Sequence, residues 1–234
     1  MSAHPDPAVR SVFDAWSVRR QRAVIFDFNG TLSDDEPLLL KIYEELFREH
    51  LQWSLTPADY YARLAGRSDR EIVALVLAEH PDTDPELMPL LLRQRQKRYR
   101  ELVQQRSPIA AETAQLVHLL ADRGVPMAVV TGAQRADVNY VLAHSAVAGH
   151  FTVVVTEEDV RSGKPDPEGF LAGATALGVT PADVLAFEDS LPGVAAARAA
   201  GMRCIAVEGT HDRATLLAAA DAVVPALTAS LFSD

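Results

Sequence analysis

Ala23-Val-Ile-Phe-Asp27-Phe-Asn29-Gly30-Thr31-Leu32 is the stretch on which the fold turns. Its apolar half is too short for a helix and has no polar alternation, the pattern of a strand buried on both faces of a parallel sheet. The run stops at a carboxylate, and glycine and threonine follow close behind. That places Asp27 at the carboxyl edge of the sheet, where open α/β folds bind ligands. An isolated Asp in such a place commonly does no more than cap a loop, so the rest of the chain has to decide.

Working outward, similar apolar runs recur at 127–131, 151–156, 184–187 and 204–207. Amphipathic helical patterns lie between them, including 111–123, closed by Gly124, and the alanine-rich 194–200, closed by Gly201. Both glycines suit the position just past a helix C-terminus. Strands alternating with helices predict an α/β fold with a doubly wound parallel sheet. The segment 34–107 breaks this rhythm, having helical stripes (Leu38, Leu39, Ile42, Leu46, Phe47, then Ile72, Leu75, Val76) and no convincing strand. It is expected to form a small helical domain inserted after the first strand, with Ser107-Pro108 as the re-entry point. The expected division is 1–33 with 108–234 as the α/β core and 34–107 as the insertion.

The chain has 234 residues, 48% of them hydrophobic, and a formal net charge of −10. With a pI near 5.1, it lacks the basic face that nucleic acid or an anionic membrane demands. A small anionic substrate stays compatible, because local charge at a pocket can oppose the global sign. One cysteine, Cys204, excludes an intrachain disulfide and points to a reducing compartment; its apolar surroundings mark it as a buried strand residue. The opening residues resemble no signal sequence, and no run reaches the ~18 apolar residues of a membrane span. A cytoplasmic protein, monomeric or a small homo-oligomer, is expected.

Three further segments carry chemistry. Val129-Val130-Thr131-Gly132-Ala133 delivers a hydroxyl and backbone amides at a strand end, able to hold a phosphoryl oxygen; alone it is an ordinary strand-end turn. Ser162-Gly163-Lys164-Pro165-Asp166-Pro167 fixes a lysine on a stiff loop, although a lone loop lysine is usually just solvated. Leu185-Ala186-Phe187-Glu188-Asp189-Ser190 ends a strand in two adjacent carboxylates, which repel unless a cation or hydrogen bonds offset them. Mg2+ suits such a pair, being a hard ion that prefers carboxylate oxygen.

In the order Asp, Thr, Lys, Glu-Asp, these segments resemble the four motifs of the haloacid dehalogenase-like hydrolase superfamily, with a Rossmann-like core. Gly163-Lys164-Pro165-Asp166-Pro167 and Glu188-Asp189-Ser190-Leu191-Pro192-Gly193-Val194 are similar to the subgroup that holds β-phosphoglucomutase and phosphoglycolate phosphatase. The segment 34–107 sits where that family carries its cap domain. The resemblance implies a Mg2+-dependent phosphatase acting on a small phosphorylated metabolite, with Asp27 as the nucleophile that forms an aspartyl-phosphate. It also implies that Asp27, Asp189 and the backbone carbonyl of Asn29 hold the metal, with Glu188 beside it. Thr131 and Lys164 would hold the transferring phosphoryl group, assisted by Gly30, Gly132 and Ala133. In Leu64-Ala65-Gly66-Arg67-Ser68-Asp69, similar to the cap's substrate loop, Arg67 is the candidate substrate contact; otherwise it is a solvated flank beside a capping serine.

Asn29 departs from the family, most of whose phosphatases and mutases carry a second Asp there as general acid and base. An amide cannot exchange that proton. Four readings follow: a substrate whose leaving group needs no proton, a stand-in acid such as Asp34 or Asp35, a phosphate or sugar-phosphate binder with vestigial turnover, or a change introduced to trap a complex. A mutase fits less well, since the mutase histidine twelve residues after the nucleophile is Leu39 here, and Asp69 occupies the place of its cap-loop arginine. Phosphonoacetaldehyde hydrolase needs a cap lysine that this loop lacks, Lys41 being predicted to face solvent. The basic run from Arg93 to Arg100, including Arg95 and Tyr99, is expected to be a solvated helix face.

Overall fold

In a computed structural model, which describes residues 6–232, six strands form one parallel sheet in the order β3-β2-β1-β4-β5-β6. They are β1 (Ala23–Phe26), β2 (Met127–Val130), β3 (Val153–Val155), β4 (Val184–Glu188), β5 (Arg203–Val207) and β6 (Ala222–Val224). Strand order reverses between β1 and β4, so the crevice beyond their carboxyl ends is the expected ligand site. The helices are α1 (Pro7–Ser17), α2 (Glu36–Leu51), α3 (Pro57–Arg63), α4 (Asp69–Ala78), α5 (Leu87–Val103), α6 (Ala111–Asp122), α7 (Arg135–Ala143), α8 (Glu168–Leu177), α9 (Leu191–Ala199) and α10 (Arg213–Ala219). Residues 1–5, part of the N-terminal stretch read above, lie outside the described residues.

Because strand side chains alternate, the sheet has two apolar faces. Val24, Phe26, Val129, Leu185 and Ile205 pack with Trp16 of α1, Leu116 and Val117 of α6 and Val138 of α7. On the other face Ala23, Ile25, Ala128, Ala186 and the buried Cys204 pack with Phe170 of α8, Val194 of α9 and Leu216 of α10. Helix α8 approaches so closely that a Cβ on Gly173 would lie 2.8 Å from Val130 and 3.2 Å from Ile25. Gly173→Ala is therefore expected to cost about 1–3 kcal/mol by overpacking, read as a lower denaturant midpoint.

The doubly wound sheet is as the sequence predicts, with Gly124 (φ +64°) and Gly201 (φ +84°) past their helices in the left-handed conformation. Strands β1, β2 and β3 are trimmed at their ends, β4 and β5 each run one residue longer than expected, and β6 and α1 were not anticipated. Across 34–107 the chain forms α2, α3, α4 and α5, with no strand among the described residues, before α6 leads into β2. The two crossings into this segment meet where Asp34 N donates to Pro108 O at 2.9 Å. No described helix is long and apolar enough to cross a membrane.

One expectation fails. The basic run on α5 is not wholly a solvated face: Arg93 and Lys97 are exposed, but Leu91, Arg95 and Tyr99, at four-residue steps, form the buried stripe, and Arg95 is 1% exposed. Its Nε lies 2.9 Å from Asp69 Oδ1, and its Nη1 pairs with Asp137 on α7. Full burial of a guanidinium is tolerated here because two buried carboxylates neutralise it.

Candidate active site

Strand β1 is fully buried, and its continuation carries Asp27 out beyond the sheet's carboxyl edge, where Asp27 N still donates to Phe187 O of β4 at 2.9 Å. The chain then folds tightly: Gly30 N donates to Ser33 O at 2.8 Å and Ser33 N to Phe28 O at 2.8 Å. Gly30 has φ +75°, and a Cβ on it would lie 2.1 Å from Asp189 Oδ2 and 3.1 Å from Glu36 Cγ. Only glycine supplies both that conformation and that clearance.

β4 delivers Glu188 and Asp189 from the neighbouring strand end. Carboxylate oxygens of Asp27, Glu188 and Asp189 lie within 4.8 Å of one another, and all three residues are buried. Glu188 Oε2 accepts from Asp189 N (2.9 Å), Ser190 N (2.8 Å) and Ser190 Oγ (2.9 Å). Its Oε1 pairs with Lys164, which also pairs with Asp27. A Cβ on Gly193 would fall 1.6 Å from Glu188 Oε1, so the first turn of α9 comes this close only with glycine. Asp189 is held by Thr31 Oγ1 at 3.0 Å and by the Thr210 hydroxyl.

The electrostatics follow from this crowding. Burial pushes Asp27 up to about 7, partly offset by Lys164 and reinforced by Glu188. Burial, followed by Glu188, Asp27 and Glu36, drives Asp189 well above the carboxylate range. Glu36, buried and accepting from Tyr60 OH at 2.7 Å, is pushed up to about 8, chiefly by desolvation. Against these carboxylates Lys164 is raised by Asp27 and Glu188 despite its own burial. An all-oxygen, charge-excess cluster is the donor set that a hard divalent cation fits.

Thr131 and Gly132 follow β2 on the other side of Asp27. Thr131 N donates to Val155 O at 2.9 Å, and its Oγ1 accepts from Ala133 N at 3.0 Å. Asp27, Asn29, Thr131, Gly132, Ala133, Lys164 and Arg67 all line one small cavity of about 20 Å³. Its roof comes from the segment between β1 and β2, through Glu36, Leu39, Tyr60, Asp69 and Ile72. Gly66, Thr131, Gly132 and Lys164 also line a neighbouring cavity of about 390 Å³, floored by Val130, Val155, Val160 and Phe170. Arg67 is exposed, and its Nε donates to Arg63 O at 2.8 Å.

The side chain of Asn29 is turned to Asp35, its Nδ2 donating to Asp35 Oδ2 at 2.9 Å, and Tyr99 OH donates to the same oxygen. Burial lifts Asp35 to about 6, against hydrogen bonds from Tyr99 and Asn29. Asp34 instead is exposed. Sequence reasoning missed Thr31, Thr210, Glu36, Tyr60 and the part Asp69 plays in the roof. The acidic run Asp34-Asp35-Glu36 was a legible signal for one of these, but nothing local marks Thr210.

The family model for haloacid dehalogenase-like hydrolases matches residues 24–207. Validoxylamine A 7'-phosphate phosphatase of Streptomyces hygroscopicus subsp. limoneus is 31% identical over 222 residues, covering 88% of this chain and 94% of that protein. Fructose-1-phosphate phosphatase YqaB of Escherichia coli (strain K12) is 32% identical over 194 residues, covering 80% and 97%. The crystal structure of CbbY from Rhodobacter sphaeroides in complex with phosphate superposes with a TM-score of 0.78 at 26% identity, covering 88% and 94%. Another crystal structure of that protein, a mutant in complex with xylulose-(1,5)bisphosphate, gives 0.79 at 27% identity. With the motif residues gathered at one sheet edge and these similarities along nearly the whole chain, the protein belongs to the haloacid dehalogenase-like hydrolases, as a phosphatase-type member.

Proposed function

We propose that the chain is a magnesium-dependent phosphatase of small sugar-type phosphate monoesters, working through an aspartyl-phosphate on Asp27 at a rate that Asn29 lowers. The observation that supports it most is the arrangement of Asp27, Glu188 and Asp189 within 4.8 Å with Lys164 bridging the first two. A mere binder has no evident need of a nucleophile in that setting. Asp27, Asp189 and the backbone carbonyl of Asn29 would hold Mg2+, which supplies charge neutralisation for the phosphoryl oxygens when bound.

In this reading one Asp27 oxygen attacks phosphorus as the ester P–O bond breaks, the departing alkoxide takes a proton from water to leave as the alcohol, and a second water cleaves the acyl phosphate to release inorganic phosphate and restore the carboxylate. Lys164 keeps Asp27 charged for attack and offsets the phosphoryl charge. Thr131 and the amides of Gly132 and Ala133 hold the phosphoryl oxygens. The small cavity, at about 20 Å³, has no room for a sugar, so α2–α5 act as a cap that separates from the core to admit substrate. Arg67 lies at the rim of that opening, as a contact for the incoming ester.

A carboxamide cannot protonate the departing alkoxide, and general acid catalysis typically contributes 10²–10⁴-fold. Asn29→Asp would place a carboxyl against the raised Asp35, so that the pair retains a proton near neutrality. Phosphate release is expected from fructose 1-phosphate and acetyl phosphate, to be lost on chelation, with the variant about 10²–10⁴-fold faster on the sugar ester. Equal sugar-ester rates would refute the role given to Asn29, and release only by the variant would make the present chain a binder.

A further inference from the structure

Asp189 is clamped at both oxygens by hydroxyl groups. Thr31 Oγ1, from the loop that follows Asp27, donates to its Oδ1 at 3.0 Å, and the Thr210 hydroxyl donates to its Oδ2. Both bonds are buried, with Asp189 1% and Thr210 5% exposed. An ionised carboxylate has about four acceptor sites, so two hydroxyls can fix its plane and still leave it able to bind a cation. Unclamped, it would be pushed aside by Asp27 and Glu188, whose carboxylate oxygens lie within 4.8 Å of its own.

The second clamp comes from a part of the chain with no other contact to the site. Thr210 lies between β5 and α10 and lines neither of the two cavities around Asp27, so it does not reach a substrate. Its loop is pinned at both ends. Glu208 N donates to Val224 O at 2.9 Å, and Arg213 Nη1 pairs with Glu208 at 2.6 Å and donates to Val223 O at 3.3 Å. At the start of α10, Thr215 N donates to Asp212 Oδ1 at 3.0 Å. The hydroxyl is therefore held in place by β6 and α10 rather than by Asp189 itself, which is what a group that orients its partner needs.

We infer that Thr210 is a positioning residue for the metal: its hydroxyl holds the Asp189 carboxylate in the orientation that Mg2+ requires. This rests on the phosphatase reading for Asp189 as a metal ligand, while its own readout is ion binding. Hydrogen bonds that orient a ligating side chain typically carry about 10–100-fold in metal affinity. Mg2+ demands near-ideal octahedral geometry, whereas Ca2+ accepts irregular sets of oxygens. Loss of orientation therefore falls more heavily on Mg2+.

The test is calorimetric titration of the whole chain with MgCl2 and, separately, with CaCl2, for the parent, Thr210→Val and Thr210→Ser. Phosphate release from acetyl phosphate is followed in parallel. Thr210→Val, which keeps the shape and removes the donor, is expected to weaken Mg2+ binding about 10–100-fold and Ca2+ binding less, so that the ratio of the two affinities falls. Thr210→Ser keeps the hydroxyl and is expected to restore the parent ratio. Because the measured quantity is a ratio, a smaller folded fraction in a variant does not move it. Parent-like Mg2+ affinity in Thr210→Val overturns the proposal, as does an equal loss for both ions, which would mean that Thr210 serves only the fold. Mg2+ binding that depends on Thr210 without any phosphate release would refute the hydrolase reading while leaving the positioning role standing. Binding of neither ion by the parent would refute both.

Discussion

Asp27→Asn is expected to lower magnesium-dependent phosphate release by roughly 10⁴–10⁶-fold, the loss seen when a covalent nucleophile is removed. Nothing else in the site can take over the attack. Glu188 has one oxygen occupied by two amides and a hydroxyl and the other by Lys164. Both oxygens of Asp189 are engaged by Thr31 and Thr210. The same variant should fold as well as the parent, because it removes one member of a crowded carboxylate cluster and leaves Lys164 paired to Glu188. Loss of activity with an unchanged or raised unfolding midpoint is therefore the expected signature, read from a phosphate-release assay and thermal unfolding of the same preparation. Residual release above a hundredth of the parent rate would mean that water, not Asp27, attacks phosphorus.

Arg95→Met is expected to give the largest loss of stability, about 3–5 kcal/mol, by leaving Asp69 and Asp137 as uncompensated buried charges. Asp137 is 1% exposed and Asp69 is 5% exposed, so neither can turn to water without repacking. The Arg100 Nε, 3.5 Å from Asp137 Oδ1, retains one partial partner and argues for the lower end of that range. Urea unfolding would read the effect as a lower midpoint; a change below about 1 kcal/mol would show that the pair contributes little beyond its own desolvation cost. Since Arg95 joins α5 to Asp69 of α4 and Asp137 of α7, the variant should also loosen the roof over Asp27.

Much of the site was legible because its carriers are strand ends. A strand buried on both faces must be almost wholly apolar, so the positions where β1, β2 and β4 give way to Asp27, Thr131 and Glu188-Asp189 stand out in one dimension. The exceptions have the same logic. Strand β6 contributes only Ala222–Val224, too short a run to separate from the alanine-rich sequence around it. The α5 cations looked solvated because periodicity shows which residues share a helix face, while the partners of that face lie elsewhere in the chain.

By itself, then, the sequence determined the parallel α/β core, the helical character of 34–107 and the four chemistry-bearing segments, since each depends on local polarity and spacing. Tertiary structure alone decided what those residues touch. The Thr31–Asp189 hydrogen bond spans 158 residues and Thr210–Asp189 spans 21. Glu188 is shielded by a glycine on the next helix, and Asn29 is turned to Asp35. Which carboxylate is satisfied and which, like Asp69, keeps a free oxygen is a matter of where packing aims each side chain. No one-dimensional pattern encodes that direction.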